Sequence, residues 1–219
     1  MESIIEVANR HDSPAHTLCI AMLAHLSRLG ENAYQMIFNT KDLLRTLVRA
    51  TNSNDSECRK YACFTLENLS CEPSCRQEMA NSPGLIATVC FCSTNDGFED
   101  QQLASVSTLR NLSKDFSCMI PLSTSKDCLL ALMQIARMHQ KKRVCKDDDN
   151  IIEAVNQLSE KKRMMEYFAC DAVATICAWM VMEANSKKKR LANLDEDDSE
   201  DDSVERPTIL RVPGWELWD

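Results

Sequence analysis

The hexapeptide TLRNLS (108–113) is a returning phrase: TLENLS stands at 65–70 and MLAHLS at 22–27, each 43 residues from the next. Whole columns share that spacing. Leu23, Leu66 and Leu109 form one, Leu26, Leu69 and Leu112 the next, and Ser27, Ser70 and Ser113 follow. One turn before the leucines, Cys19, Ala62 and Ser105 make a column of small residues. Further on come Met36, Met79 and Leu122, then Leu43, Ile86 and Leu129, and a four-member column of Ile4, Leu47, Cys90 and Met133. So many columns in one register define a repeated unit. A unit of this length cannot cover its own apolar face, so neighbours must stack into a solenoid with a continuous core.

Each unit reads as helix. From Thr17 to Ser27 the apolar residues fall three and four apart, one face of a helix. A second helix is expected from Asp42 to Ala50, with Leu43, Leu44, Leu47 and Val48 on its apolar side and counterparts beginning near Leu85 and Asp127. Short leading helices are expected at Ser56–Tyr61 and Glu99–Leu103, with Ser13–Pro14 and Ser56–Glu57 as helix starts. Only four glycines and six prolines interrupt 219 residues, which favours helices on short connections.

The phrase ACFTLENLS (62–70), repeated as SVSTLRNLS (105–113) and more loosely as CIAMLAHLS (19–27), resembles the second helix of an armadillo repeat, where family members carry Ala and then Leu-x-Asn-Leu. NSPGLI (81–86) is similar to the family's turn into its third helix, with Gly84 as the turn glycine. The period also fits the roughly 40–47-residue armadillo/HEAT class and not the shorter ankyrin and TPR units. The resemblance implies an all-α, right-handed α-solenoid of three-helix repeats, three to four in number, acting as a binding scaffold whose third helices line a concave groove.

On this reading 1–186 is the repeat domain. Residues 1–12 are the last helix of an incomplete unit: either that helix caps the stack alone or the chain is a fragment of a longer array, and the apolar Ile4, Ile5 and Val7 favour the fragment. Repeats occupy 13–55, 56–96 and 97–140, and HQKKRVCKDDDN places a loop at 141–150. A divergent fourth unit spans 151–186: YFACDAVATIC (167–177) aligns with KYACFTLENLS (60–70) and puts Ala169, Val173 and Ile176 in core positions.

Twelve cysteines would suggest disulfides in a secreted chain. Here the opening MESIIEVANR is acidic and lacks an apolar signal core, and several cysteines occupy small-residue core positions. They read as reduced thiols in a cytoplasmic or nuclear protein. Cys71 and Cys75 follow a helix end and are expected to be exposed, whereas Cys90 reads as packing. The longest uncharged apolar stretch, Ala172–Met182, falls short of the roughly 20 residues a bilayer requires.

No Gly-rich phosphate loop, GxSxG or HExxH occurs, and the histidines lack spaced acidic or thiol partners. The chain therefore reads as non-enzymatic, without cofactor or metal; a thiol- or metal-dependent protein is the outlying alternative. Lys41, Arg45 and Arg49 stand four apart on the non-core side of one third helix, and Arg137 lies on a later one. They are the candidate contacts for an acidic or extended protein segment. Relatives that carry nuclear import signals use Trp and Asn in third helices. Neither stands at those positions here, which disfavours the alternative of a transport or cargo adaptor. Nothing in the charge balance calls for nucleic acid: the net −8 owes much to Asp195–Asp202.

After Ala184 the composition turns charged. KKKR (187–190) fits either a nuclear import signal or a basic helix end, and 187–205 is expected to be a disordered linker in which Ser199 precedes acidic residues as a kinase site would. The last segment, 206–219, holds two tryptophans. Ile209, Leu210, Trp215 and Trp218 are expected to dock, either over the last repeat or on a partner.

Overall fold

The structure is a computed structural model, and it describes residues 1–10, 15–95, 98–137 and 160–197. Among these every regular element is helical. The elements are α1 (Glu2–Ala8), α2 (His16–Leu26), α3 (Gly30–Asn39), α4 (Leu43–Ala50), α5 (Ser56–Cys71), α6 (Pro73–Asn81), α7 (Leu85–Thr94), α8 (Glu99–Ser113), a 3-10 turn (Phe116–Cys118), α9 (Met119–Thr124), α10 (Lys126–Arg137) and α11 (Glu160–Asp197). Contacts divide the chain into Met1–Met180 and Val181–Asp219. The second unit is described here only as helix, to Asp197.

Within the first unit the helices stack in three columns. The long helices α2, α5 and α8 pack in series, α5 touching both neighbours. The last helices α1, α4, α7 and α10 form a second series, and the short helices α3, α6 and α9 with its preceding turn form a third. Apolar burial explains the stacking: one core cluster runs from Ile5 to Ile176 and gathers side chains from every column. The returning leucines are its spine. Leu23, Leu66, Leu109, Leu69 and Leu112 are fully buried, Leu26 is half-buried at the edge, and Ser27, Ser70 and Ser113 are buried beside them. Met36, Met79 and Leu122 are the buried anchors of the short column.

Several expectations need correction. The short leading helices at Ser56–Tyr61 and Glu99–Leu103 do not exist as separate elements; they are the first turns of α5 and α8. Nothing between Ser56 and Cys71 breaks the backbone ladder. Asp55, not Ser56, caps α5, its carboxylate accepting from the Glu57 N–H at 2.9 Å. The additional helix of each unit instead follows the leucine phrase, as α3, α6 and α9. Residues 11–14, including Ser13 and Pro14, lie outside the described residues.

The last-helix register also differs by one residue. The inmost column is Leu43, Leu85 and Cys128; Ile86 is buried beside Leu85, and Leu129 sits at the edge. Likewise Ile5, Leu47, Val89 and Leu132 form the inner row; Cys90 is buried beside Val89 as expected, but Met133 is 37% exposed. The reason is spacing: the long helices repeat every 43 residues, but α1, α4 and α7 are offset by 42 and only α10 returns to 43. The backbone marks the same equivalence. Gly84 starts α7 at φ 77°, and Asp42, which starts α4, adopts the same left-handed conformation at φ 61°.

At the C-terminal end of the first unit, α11 lays one edge on α8. Met165, Ala169, Ala172 and Ile176 are buried, Val173 only partly. Arg110 of α8 bonds Asp171 at 2.6 Å and lies over the Phe168 and Tyr167 rings at 4.6 and 5.4 Å. The helix continues to Asp197, so the first part of the expected disordered linker, 187–197, is helical. No proline or glycine interrupts it before Pro207, and lysine, arginine, leucine and alanine all favour helix. By length and composition alone, Lys162–Arg190 reaches what a bilayer-crossing helix needs, which the uncharged run Ala172–Met182 by itself did not suggest. The expected loop at 141–150, Ser199, and the docking residues Ile209, Leu210, Trp215 and Trp218 lie outside the described residues.

Candidate interaction face

The outward side of the last-helix column is the face on which the basic strip was expected. Packing leaves it open because Leu43, Thr46, Leu47 and Ala50 turn α4 inward, so Arg45 and Arg49 point out one turn apart. In the corrected register, Ala87 and Leu130 are the counterparts of Arg45, and Phe91 and Gln134 those of Arg49. Lys41 is exposed in the turn before α4. Arg137 is exposed at the end of α10, with α7 between it and α4. The structure therefore brings Arg45 and Arg49 together and sets Arg137 apart; of the four counterpart positions, Ala87, Phe91 and Leu130 are apolar.

Those apolar positions are the residues that sequence reasoning missed. Phe91 is 59% exposed and Leu130 66%. They flank a cleft of ≈ 290 Å³ between α7 and α10, which Ala87, Thr94, Asp127 and Gln134 also line. A pair of large exposed apolar side chains beside a cleft is the arrangement that takes an apolar anchor from a partner. The signal lay in the sequence, but a uniform spacing of 43 aligned Arg49 with the buried Cys92 instead of with Phe91.

A second cleft of ≈ 430 Å³ lies between the starts of α5 and α8, lined by Ser56, Glu57, Lys60, Phe98, Glu99, Asp100 and Gln101. Above it Arg59 sits 4.8 Å from the centre of the Phe98 ring and donates to the carbonyls of Ser53 and Asn54 at 2.7 and 3.0 Å. Those bonds tie Arg59 into the loop that connects α4 to α5, a structural role.

Most of the described thiols are placed for packing. None of the eleven described cysteines is in a disulfide; Cys71, Cys170 and Cys177 are exposed, and Cys75 is buried, against expectation, because it turns inward on α6. Cys58 lies 3.2 Å from His16 Nε2, both buried. Burial pushes the Cys58 thiol up, the reverse of what an activated nucleophile requires. Cys63, held against the Cys92 thiol and buried, is also pushed up, and burial takes Cys118 to about 11. Among the described residues no group of three or more His, Cys, Asp or Glu side chains stands at metal-holding distance.

The layers are joined by a recurring polar contact. Asn68 Nδ2 donates to Ala24 O and Ser27 Oγ, both at 3.1 Å. One layer on, Asn111 Nδ2 donates to Ser70 Oγ at 3.1 Å and Cys71 Sγ at 3.5 Å. These asparagines of the leucine phrase are joints of the stack and are not free to hold a ligand.

Comparison with protein families finds no match. Comparison with curated proteins finds none either. Among solved structures, a designed armadillo repeat protein is similar over 79% of this chain and 99% of its own length, at 11% identity and a TM-score of 0.30, a likeness too slight to carry argument.

Proposed function

We propose that this chain is a non-enzymatic protein-interaction scaffold of the armadillo type, three to four units coiled in a right-handed solenoid. It binds an extended partner segment bearing acidic and apolar side chains along the outward face of α4, α7 and α10. The observation that carries this reading is the exposure of Phe91 and Leu130 at a cleft, one and two layers from Arg45 and Arg49. An apolar anchor in the cleft supplies affinity, and the arginines supply charge selection and orientation. The location that suits its free thiols is the reducing cytoplasm or nucleus.

The test is selection from a displayed library of random peptides on the intact protein, followed by binding of the enriched peptides to variants. Enriched sequences should combine Asp or Glu with a Leu, Phe or Trp. Phe91→Ala should weaken them about tenfold or more, and Arg45→Glu with Arg49→Glu should lose the acidic preference. Peptides that bind the triple variant as well as the parent would refute the assignment of this face.

A further inference from the structure

The first and last long helices described here, α2 and α11, carry the two halves of the joint that the helices between them repeat. At each interior joint, a long helix presents one triplet backward onto the helix before it. On α5 this is Tyr61, Thr65 and Asn68, and on α8 it is Ala104, Thr108 and Asn111. On α11 the same positions are Phe168, Ala172 and Thr175, with Phe168 against Arg110 of α8 and Ala172 buried. Each long helix also presents a forward triplet to the helix after it. On α2 this is Ile20, Ala24 and Ser27, and on α5 it is Cys63, Glu67 and Ser70, where Ser105 reaches Cys63 Sγ at 3.8 Å and Asn111 reaches Ser70. On α8 it is Val106, Arg110 and Ser113.

Two triplets have no long helix packed on them among the described residues. The backward triplet of α2 is Leu18, Met22 and His25, with Leu18 63% and Met22 43% exposed and His25 exposed. Its counterparts on α8 are all buried. The forward triplet of α11 is Cys170, Ala174 and Cys177, all exposed, with Met164 and Tyr167 exposed alongside. Its counterparts Cys63, Ser70, Val106 and Ser113 are buried. A face that stays in water is ordinarily polar; these two faces are largely apolar. They also match in shape: the long side chains of Leu18 and Met22 meet small ones at 170, 174 and 177. His25 occupies the position from which Asn68 and Asn111 donate to the C-terminal turn of the preceding long helix.

We propose that a second copy of this chain docks head to tail, the Leu18–Met22–His25 face of α2 seating on the Cys170–Ala174–Cys177 face of α11, and so continues the interior joint across the boundary between molecules. The contact is heterologous: one copy gives its first face and the other its last, so each added copy leaves a free face for the next. It uses neither Arg45, Arg49 nor Phe91, and it stands or falls independently of peptide binding on the outward face.

The test is mass in solution under reducing conditions, by light scattering or sedimentation over a wide concentration range, on the full chain. The wild type should grow from one chain to a concentration-dependent series of multiples. Leu18→Glu and Ala174→Glu, both at exposed positions, should each stay at one chain while keeping the helical signal and thermal midpoint of the wild type; Met22→Glu and Cys177→Glu are second substitutions at the same faces. An equimolar mixture of Leu18→Glu and Ala174→Glu has one intact face on each partner and should form a dimer that grows no further. A wild type that stays at one chain throughout overturns the proposal, as does a Leu18→Glu variant that still self-associates or a mixture that fails to pair. Cosedimentation of a one-chain wild type with phosphatidylcholine–phosphatidylserine vesicles, lost in Ala174→Glu, would also overturn it and assign the α11 face to lipid.

Discussion

The Asn111 joint can be measured directly. Asn111 is 8% exposed, and its amide donates to the buried Ser70 hydroxyl at 3.1 Å and weakly to Cys71 Sγ. Ser70 in turn donates to Glu67 O at 2.7 Å. Asn111→Ala removes one neutral hydrogen bond, worth about 0.5–1.5 kcal/mol net, and leaves a buried acceptor short of a partner, so the expected loss is about 1–3 kcal/mol. Ser70→Ala removes the same bond from the other side, together with its local bond to the α5 backbone. In a double-mutant cycle the shared bond appears as a coupling of about 0.5–1.5 kcal/mol. For a unit of this size each kcal/mol corresponds to roughly 2–4 °C in Tm. The assay is equilibrium urea unfolding followed by far-UV circular dichroism on the four proteins, accepted only if their m-values agree. The parallel cycle at Asn68 and Ser27 should give a smaller coupling, because Asn68 is half-exposed and keeps its second bond to Ala24 O. A coupling at Asn111–Ser70 within about 0.3 kcal/mol of zero would refute the idea that this bond joins the layers.

Glu67 faces α8 half-buried, and burial raises its carboxyl above the ordinary 4.5. The stability gained from its protonated form is full below that value and is lost as pH rises through the raised one, so Glu67→Gln should stabilise the protein at pH 7 and flatten its melting temperature between pH 4 and 7. Gly84→Ala meets no neighbouring atom but must hold φ 77°, and should cost about 1–2 kcal/mol by urea unfolding; Asp42→Gly at φ 61° should have the opposite sign or no effect. The corrected register of α10 predicts that Leu132→Ala costs about 2–5 kcal/mol and Met133→Ala less than about 1; equal losses would restore the uniform spacing.

The long-helix column could be read from the sequence because identical residues recur there at one spacing: Leu, Leu and Ser are the same in all three occurrences of the phrase. The last-helix column could not, for two physical reasons. Its inner row mixes Ile5, Leu47, Val89 and Leu132, which are interchangeable by volume and hydrophobicity and so leave no letter to align. One additional residue between the α2 leucines and α4, compared with the later layers, then shifts the row; at helical pitch such a shift moves every side chain about a quarter turn. A quarter turn was enough to hide Phe91 and Leu130 while leaving Arg45 and Arg49 visible, since four-residue spacing within one helix needs no alignment between helices. Asp42 shows the limit of reading turns by glycine alone: its neighbourhood imposes the same left-handed backbone on a residue that tolerates it.

The helix α8 is sheathed by α5, α7 and α11 until nearly every residue from Gln101 to Ser113 is hidden, small hydroxyls included. Natural variation should therefore be unevenly rationed along this chain. A change anywhere on α8 must be answered by a matching change in another layer, whereas the outer sides of α4 and α10 can drift one residue at a time. New binding preferences would accumulate on that permissive rim, and the middle would hold the ancestral spelling longest.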